Sequence, residues 1–230
     1  MHGENEIYRL IRELFEVDGI GTLALESPDD YMNWFYQTDH HWNYKGSYQG
    51  YLDIVHMIFG PNESVLQPAR TRVFRDIFFN GSYSKRINQL LSDERFTVYR
   101  FNDLPDYKAK TNRKTIRYYG HANTYYKGRY SRKDLFNHYA NFYGGDFGEV
   151  IISTNQAKKP NLLIFSNSFD NAILLLLSNH FNNIYSIDLR HYEEDLNESF
   201  HIEQYIQKNK IDTILVIGDW FLFYNYCPIE

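Results

Sequence analysis

The sequence contains one cysteine, Cys227. That excludes an internal disulfide and a cysteine-rich metal site, and a single thiol leaves the compartment open. No stretch approaches the eighteen apolar residues of a membrane span. The opening Met1-His2-Gly3-Glu4 runs directly into charged sequence and does not read as a signal peptide. Neither charge dominates: 24 basic side chains stand against 29 acidic ones, for a net charge of −5. A broadly basic face is thereby excluded, and no nucleic-acid partner is expected. The dinucleotide fingerprint Gly-x-Gly-x-x-Gly, the phosphate-binding loop and the Gly-x-Ser-x-Gly elbow are all missing. So are internal repeats and low-complexity segments.

Aromatic residues are abundant instead, with 21 Tyr, 17 Phe and 3 Trp. They suit either ordinary packing, with Tyr in place of Leu, or a sugar-binding surface, because phenols combine apolar area with a polar tip. The 230 residues are 43% hydrophobic, enough for one globular domain over 1–230.

Ile7, Leu10, Ile11, Leu14 and Phe15 have helical spacing, and 22–25 reads as a short buried strand. A second helix is expected from Tyr44 through Ile58, stopped by Gly60-Pro61. Between 73 and 98 the pattern is mixed, with a turn at 80–82 and a helix near 84–91. The stretch 103–113 reads as a loop, 115–130 as irregular strands, and 146–153 as β-rich. The last third alternates clearly: strands at 162–165, 184–187 and 213–217, helices at 169–180 and 200–207. Strand–helix alternation at this pitch predicts a parallel sheet with crossover helices.

In such a sheet, function gathers at the carboxyl ends of the strands. Ser166, Asn167 and Ser168 lie at the first of these ends, Asp188 and Arg190 at the next, Asp219 and Trp220 at the third. A serine between strand and helix sits beside free helix N–H groups that can stabilise an oxyanion; equally, it can serve as a helix N-cap. Either serine fits, with Ser168 nearer the helix start.

A nucleophilic serine needs a base and an orienting group. Asp39 and His41, two apart in Asp39-His40-His41-Trp42, can address one locus, Asp39 holding one ring nitrogen so that the other faces the nucleophile. A hydrogen-bonded cluster under Trp42 and a metal site of Asp39, His40 and His41 with a remote ligand are the alternatives. The scattered histidines lack metal-ligand spacing, so no metal is expected. His191 is a reserve base.

The run Tyr36-Gln37-Thr38-Asp39-His40-His41-Trp42-Asn43-Tyr44-Lys45-Gly46-Ser47 closely resembles the signature of the DHHW family, which belongs to an SGNH-hydrolase-like group that includes the alginate O-acetylation proteins. Leu162 to Phe169 and Tyr185 to Tyr192 resemble its serine segment and the segment that follows; Gly81-Ser82-Tyr83-Ser84-Lys85-Arg86 is a weaker likeness. The resemblance implies a three-layer α/β/α sandwich with a mainly parallel central sheet. It also implies Ser168 as nucleophile, His41 as base and Asp39 as orienter, acting through an acyl-serine without a cofactor. The implied activity is O-acetyl transfer or acetyl-ester hydrolysis on a cell-envelope polysaccharide, outside the cytoplasm and beside a membrane O-acyltransferase. Two departures stand out. The family's Gly-Asp before the serine is here Ser166-Asn167, and family members are usually longer, which fits a fragment of a longer envelope protein. The altered serine segment keeps open a non-catalytic carbohydrate-binding or assembly module. Oxyanion and substrate contacts are expected from Ser166, Asn167, Trp42, Arg190 and Trp220, in an open cleft rimmed by tyrosines.

Overall fold

The structure is a computed structural model and describes residues 27–117, 119 and 138–218. The expected helix at 7–15, the strand at 22–25, most of 115–130 and the segment holding Asp219 and Trp220 lie outside the described residues.

Helix α1 (Pro28–Trp34) starts with a capping box, in which Ser27 and Asp30 satisfy each other's backbone N–H groups. Asn43 caps α2 (Tyr44–Phe59), accepting from the Lys45 and Gly46 N–H groups, and Gly60 ends it at φ 93. Strand β1 (Arg70–Phe78), helix α3 (Ser82–Ile87) and strand β2 (Arg95–Arg100) follow, β1 and β2 pairing with each other as a separate two-stranded sheet among the described residues. Then come β3 (Lys108–Thr111), β4 (Lys114–Ile116), α4 (His138–Tyr143), β5 (Glu149–Ser153) and β6 (Asn161–Ser166). A 3-10 turn at Asp170–Ala172 leads into α5 (Leu174–Leu177), β7 (Asn183–Ile187), α6 (Tyr192–Leu196), α7 (Ile202–Asn209) and β8 (Thr213–Ile217).

The main sheet has the order β4-β3-β5-β7-β6-β8. The three expected strands do pair in parallel, β6 lying between β7 and β8. The other three pairings are antiparallel, so the sheet is mixed, which corrects the mainly parallel expectation. The physical reason is the connection at 154–160. It is too short for a crossover helix, so β6 runs in the opposite direction to β5, with β7 between them.

Both faces of β6 are covered, as its apolar run requires. On one face Leu162 and Ile164 meet Tyr51, Ile54 and Val55 of α2, with Val150, Ile152 and Ile184 in the same cluster. On the other, Leu163 and Ile187 pack with Tyr192, Phe200, Tyr205 and Ile206. Buried His180 is structural, bonded to the Tyr51 hydroxyl at 2.8 Å and to Glu63 at 3.2 Å. The helix expected at 169–180 is instead a 3-10 turn and one short helix. Four consecutive leucines there have no polar face to present, and three are buried. No helix of the described residues is long and apolar enough to cross a membrane.

Candidate active site

Two distant segments meet at the carboxyl end of β6. The first is the Asp-His-His-Trp run, held between α1 and α2. Trp42 pairs with Phe35 in an isolated bridge, and Asn43 donates to the carbonyls of Asn33 and Phe35 while capping α2. His41 therefore leaves the backbone at a point fixed on both sides. The second segment is the turn after β6, whose apolar strand delivers Ser168 to the sheet edge.

Asp39, His41 and Ser168 form one hydrogen-bonded line. His41 Nε2 lies 2.6 Å from Ser168 Oγ, across 127 residues of sequence. His41 Nδ1 bonds to Asp39 Oδ1, which also accepts the His41 backbone N–H at 2.9 Å. The Ser82 backbone N–H donates to Asp39 Oδ2 at 2.6 Å. Burial pushes the Asp39 carboxyl upward, but the His41 ring and the two N–H groups outweigh it and hold it down at about 2. All three groups are enclosed: Asp39 is 3% exposed, His41 7% and Ser168 9%.

The support behind this line was not evident from the sequence. The Tyr139 ring stacks on His41, with centroids 3.9 Å apart and planes 7° off parallel. Phe169 packs against both His41 and Trp42. Gly81 is the close-approach residue: a Cβ there would lie 2.0 Å from Asp39 Oδ2. Thr38 ties the same strip down, accepting from Gly81 N–H and donating to the Phe79 carbonyl. The Gly81-Ser82 likeness was the one sequence signal of this second support. Asn171, three residues after Ser168, accepts from the Tyr119 hydroxyl at 2.7 Å and donates to Asp146 at 3.2 Å.

The other candidates fall in different places. Ser166 donates its hydroxyl to the Asn167 carbonyl at 2.6 Å, so its proton is committed within the turn. Asn167 accepts the Phe169 N–H at 3.3 Å, shaping the turn around Ser168. Arg190 is ion-paired with Asp188, with Asp146 at 3.9 Å. Trp42 is buried in the main core beside Gly50, where a Cβ would lie 2.4 Å from its ring. Trp220 lies outside the described residues. His191 precedes α6, its backbone N–H on the Asp188 carbonyl.

A metal would meet a set of donors already in use. The ligand atoms of Asp39, His40 and His41 lie within 4.8 Å of one another. Yet both His41 nitrogens are engaged by Asp39 and Ser168, and His40 Nδ1 faces Ser82 Oγ at 2.9 Å. A cation here would have to displace one of those partners.

A cavity of about 190 Å³ adjoins the site. Six tyrosines line it, Tyr36, Tyr44, Tyr48, Tyr99, Tyr119 and Tyr143, together with Trp42, Arg100 and Asn171. Ser168 and His41 are not among its lining residues, so it lies beside the hydrogen-bonded line and shares Trp42 and Asn171 with its surroundings. A larger polar opening of about 560 Å³, lined by Lys110, Arg113, Glu149 and Tyr205 among others, lies against the α6–α7 face.

The chain matches no protein-family description and no curated protein. Among solved structures it is similar to PatB1 of Bacillus cereus, at 23% identity with a TM-score of 0.64, over 89% of this chain and 68% of that one. The structure of PatB1 with a sulfonyl adduct gives a TM-score of 0.59 at 23% identity, over 84% of this chain and 63% of that one. A DHHW family protein from Eubacterium siraeum DSM 15702 gives a TM-score of 0.59 at 23% identity, over 82% of this chain and 59% of that one. This chain thus spans about three fifths to two thirds of the length of these proteins, and what it shares with them is their fold.

Proposed function

We propose that this protein performs serine-dependent acyl transfer on a carbohydrate polymer, as an O-acetyltransferase or acetylesterase of the cell envelope. The observation that carries the reading is the line from Asp39 through His41 to Ser168, at 2.6 Å between imidazole and hydroxyl. In the first step Ser168 Oγ attacks the acyl carbonyl while His41 Nε2 takes its proton. Asp39 keeps the other ring nitrogen protonated and stabilises the imidazolium. Backbone N–H groups at the turn after β6 are the candidate donors to the oxyanion. Collapse releases the first alcohol, which receives the proton from His41. Water or a sugar hydroxyl then attacks the acyl-serine, its proton passing to His41, and Ser168 leaves with a proton restored. The two activities share every residue and differ only in which hydroxyl enters second.

The sugar component of the reading draws on the tyrosine-lined cavity, whose rings offer apolar faces to sugar C–H groups and phenols to hydroxyls. A membrane O-acyltransferase as acyl donor, and a location outside the cytoplasm, complete the reading. PatB1 has been obtained with a sulfonyl adduct, and sulfonylating reagents react with activated nucleophiles, so the same reagent class provides the test here. A sulfonyl fluoride should label Ser168, seen by mass spectrometry as one adduct on its peptide. It should also abolish hydrolysis of p-nitrophenyl acetate. Ser168→Ala should remove the label and lower turnover by about 10⁶-fold. Full turnover in that variant would defeat the assignment.

A further inference from the structure

The turn after Ser168 carries a second enclosed carboxyl. Asp170 opens the 3-10 turn and is 3% exposed. The line of acyl transfer does not use it. Asp170 Oδ2 accepts from the Ser186 hydroxyl on β7, and its carboxyl also meets the Ser166 hydroxyl at the end of β6. Arg190, the basic side chain at this edge, is paired with Asp188 and not with Asp170.

Counting protons favours one form of this carboxyl over the other. A hydroxyl donates once. The Ser186 proton goes to Asp170. The Ser166 proton goes to the Asn167 carbonyl. A carboxylate at Asp170 would therefore face the lone pairs of Ser166 with no proton between them. A carboxylic acid fills that gap by donating to Ser166 Oγ. The line then runs unbroken from Ser186 through Asp170 and Ser166 to the carbonyl of Asn167, the residue before Ser168.

The surroundings agree. Burial raises the Asp170 carboxyl first, and the charges of Asp188 and Asp146 raise it further. The Ser186 hydroxyl opposes them, and the balance puts it up at about 7. Among the described residues, the other titratable groups facing it are the Tyr119 and Tyr139 phenols, which burial keeps well above the ordinary phenol range.

We propose that Asp170 is a positioning residue for Ser168 that works as a neutral acid, tying the turn after β6 to β7 through Ser186 and Ser166. The proposal rests on the reading of Ser168 as nucleophile. It follows that turnover falls toward alkaline pH as Asp170 ionises and its bond to Ser166 is lost.

Asparagine carries the same donor and acceptor pair as a carboxylic acid and does not titrate. The test compares wild type, Asp170→Asn and Asp170→Ala in p-nitrophenyl acetate turnover from about pH 5 to about pH 9. Asp170→Asn should match wild type near pH 6 and exceed it about tenfold near pH 9. Asp170→Ala should lose about tenfold or more in kcat at every pH, with KM little changed. An alkaline fall in Asp170→Asn equal to that of wild type would overturn the proposal, as would a loss near pH 6 as deep as that of the alanine variant. A second measurement needs no activity: the Asp170 carboxyl carbon, followed by NMR in full-length Ser168→Ala protein, should titrate with a midpoint near pH 7. A midpoint below about pH 5 would overturn the neutral acid. Absence of turnover in wild type would defeat the reading of Ser168, and the carbon titration would still decide the state of Asp170.

Discussion

Asp39 and Asp170 are equally buried, belong to the two segments that meet at Ser168, and have their carboxyls pushed in opposite directions. Asp39 meets donors on both oxygens: the His41 ring, the His41 N–H and the Ser82 N–H. Asp170 meets two hydroxyls and two neighbouring acids. Burial raises both, and the partners then decide. Depth alone therefore does not assign a carboxyl its role; the count of N–H donors does. On the proposed reading, one acid orients a base because it stays charged, and the other holds a turn because it does not.

The largest way to break this comparison is to remove the charge at Asp39. Asp39→Asn keeps the shape and an acceptor for one donor, but offers an amide N–H where the His41 ring or Ser82 already donates. The ring is then favoured in the wrong tautomer, with a proton aimed at Ser168. Turnover of p-nitrophenyl acetate should fall by about 10⁴-fold with little change in KM. A loss of less than tenfold would remove Asp39 from the mechanism.

A smaller break acts through geometry. Gly81→Ala forces a Cβ into the Asp39 carboxylate, which must shift or release the Ser82 N–H. Overpacking of this kind costs about 1–3 kcal/mol of stability. Turnover should fall about 10²-fold as the line from Asp39 to Ser168 is displaced. Urea unfolding and kinetics on one preparation would check both numbers. An alanine variant with wild-type stability and turnover would show that the strip around Gly81 yields freely.

The parts of the site that were legible in the sequence have local grammar. Asp39 and His41 are two apart, and Ser168 follows an apolar run that could only be a buried strand. The parallel pairing of β6, β7 and β8 follows from the alternating runs. What was not legible depends on approach across the fold. The Ser82 N–H reaches Asp39 over 43 residues, and beyond the weak likeness at 81–86 nothing in the sequence says so. The Tyr139 stack and the Asp170–Ser186 bond are of the same kind. Strand β3, in a stretch expected as a loop, was hidden by the turn that follows it. Asn112 and Arg113 both adopt positive φ, a pair of conformations that usually announces itself by glycine. The mixed sheet was partly legible after all, in the shortness of the connection at 154–160, whereas strand composition carries no information on direction.

The mildest measurement sharpens the comparison by reading both acids in one experiment, the pH dependence of stability. Asp39 is lower in the folded protein, at about 2, than its ordinary value of 3.8. Its contribution, about 2 kcal/mol, is present above pH ~4 and is lost as the pH falls through about 2. Asp170 is higher in the folded protein, at about 7, than the same 3.8. The folded state keeps a proton that the unfolded chain has released. Its contribution is complete below pH ~4 and disappears as the pH rises to about 7, with a span on the order of 4 kcal/mol. Urea unfolding at steps from about pH 2 to about pH 8 should therefore lose stability at both ends for separate reasons. Asp39→Asn should flatten the acid limb and leave the neutral one. Asp170→Asn should flatten the decline between about pH 4 and about pH 7 and leave the acid limb. If both variants followed the wild-type curve in shape, neither carboxyl would hold the state assigned to it, and the contrast between a charged orienter and a neutral tie would fail.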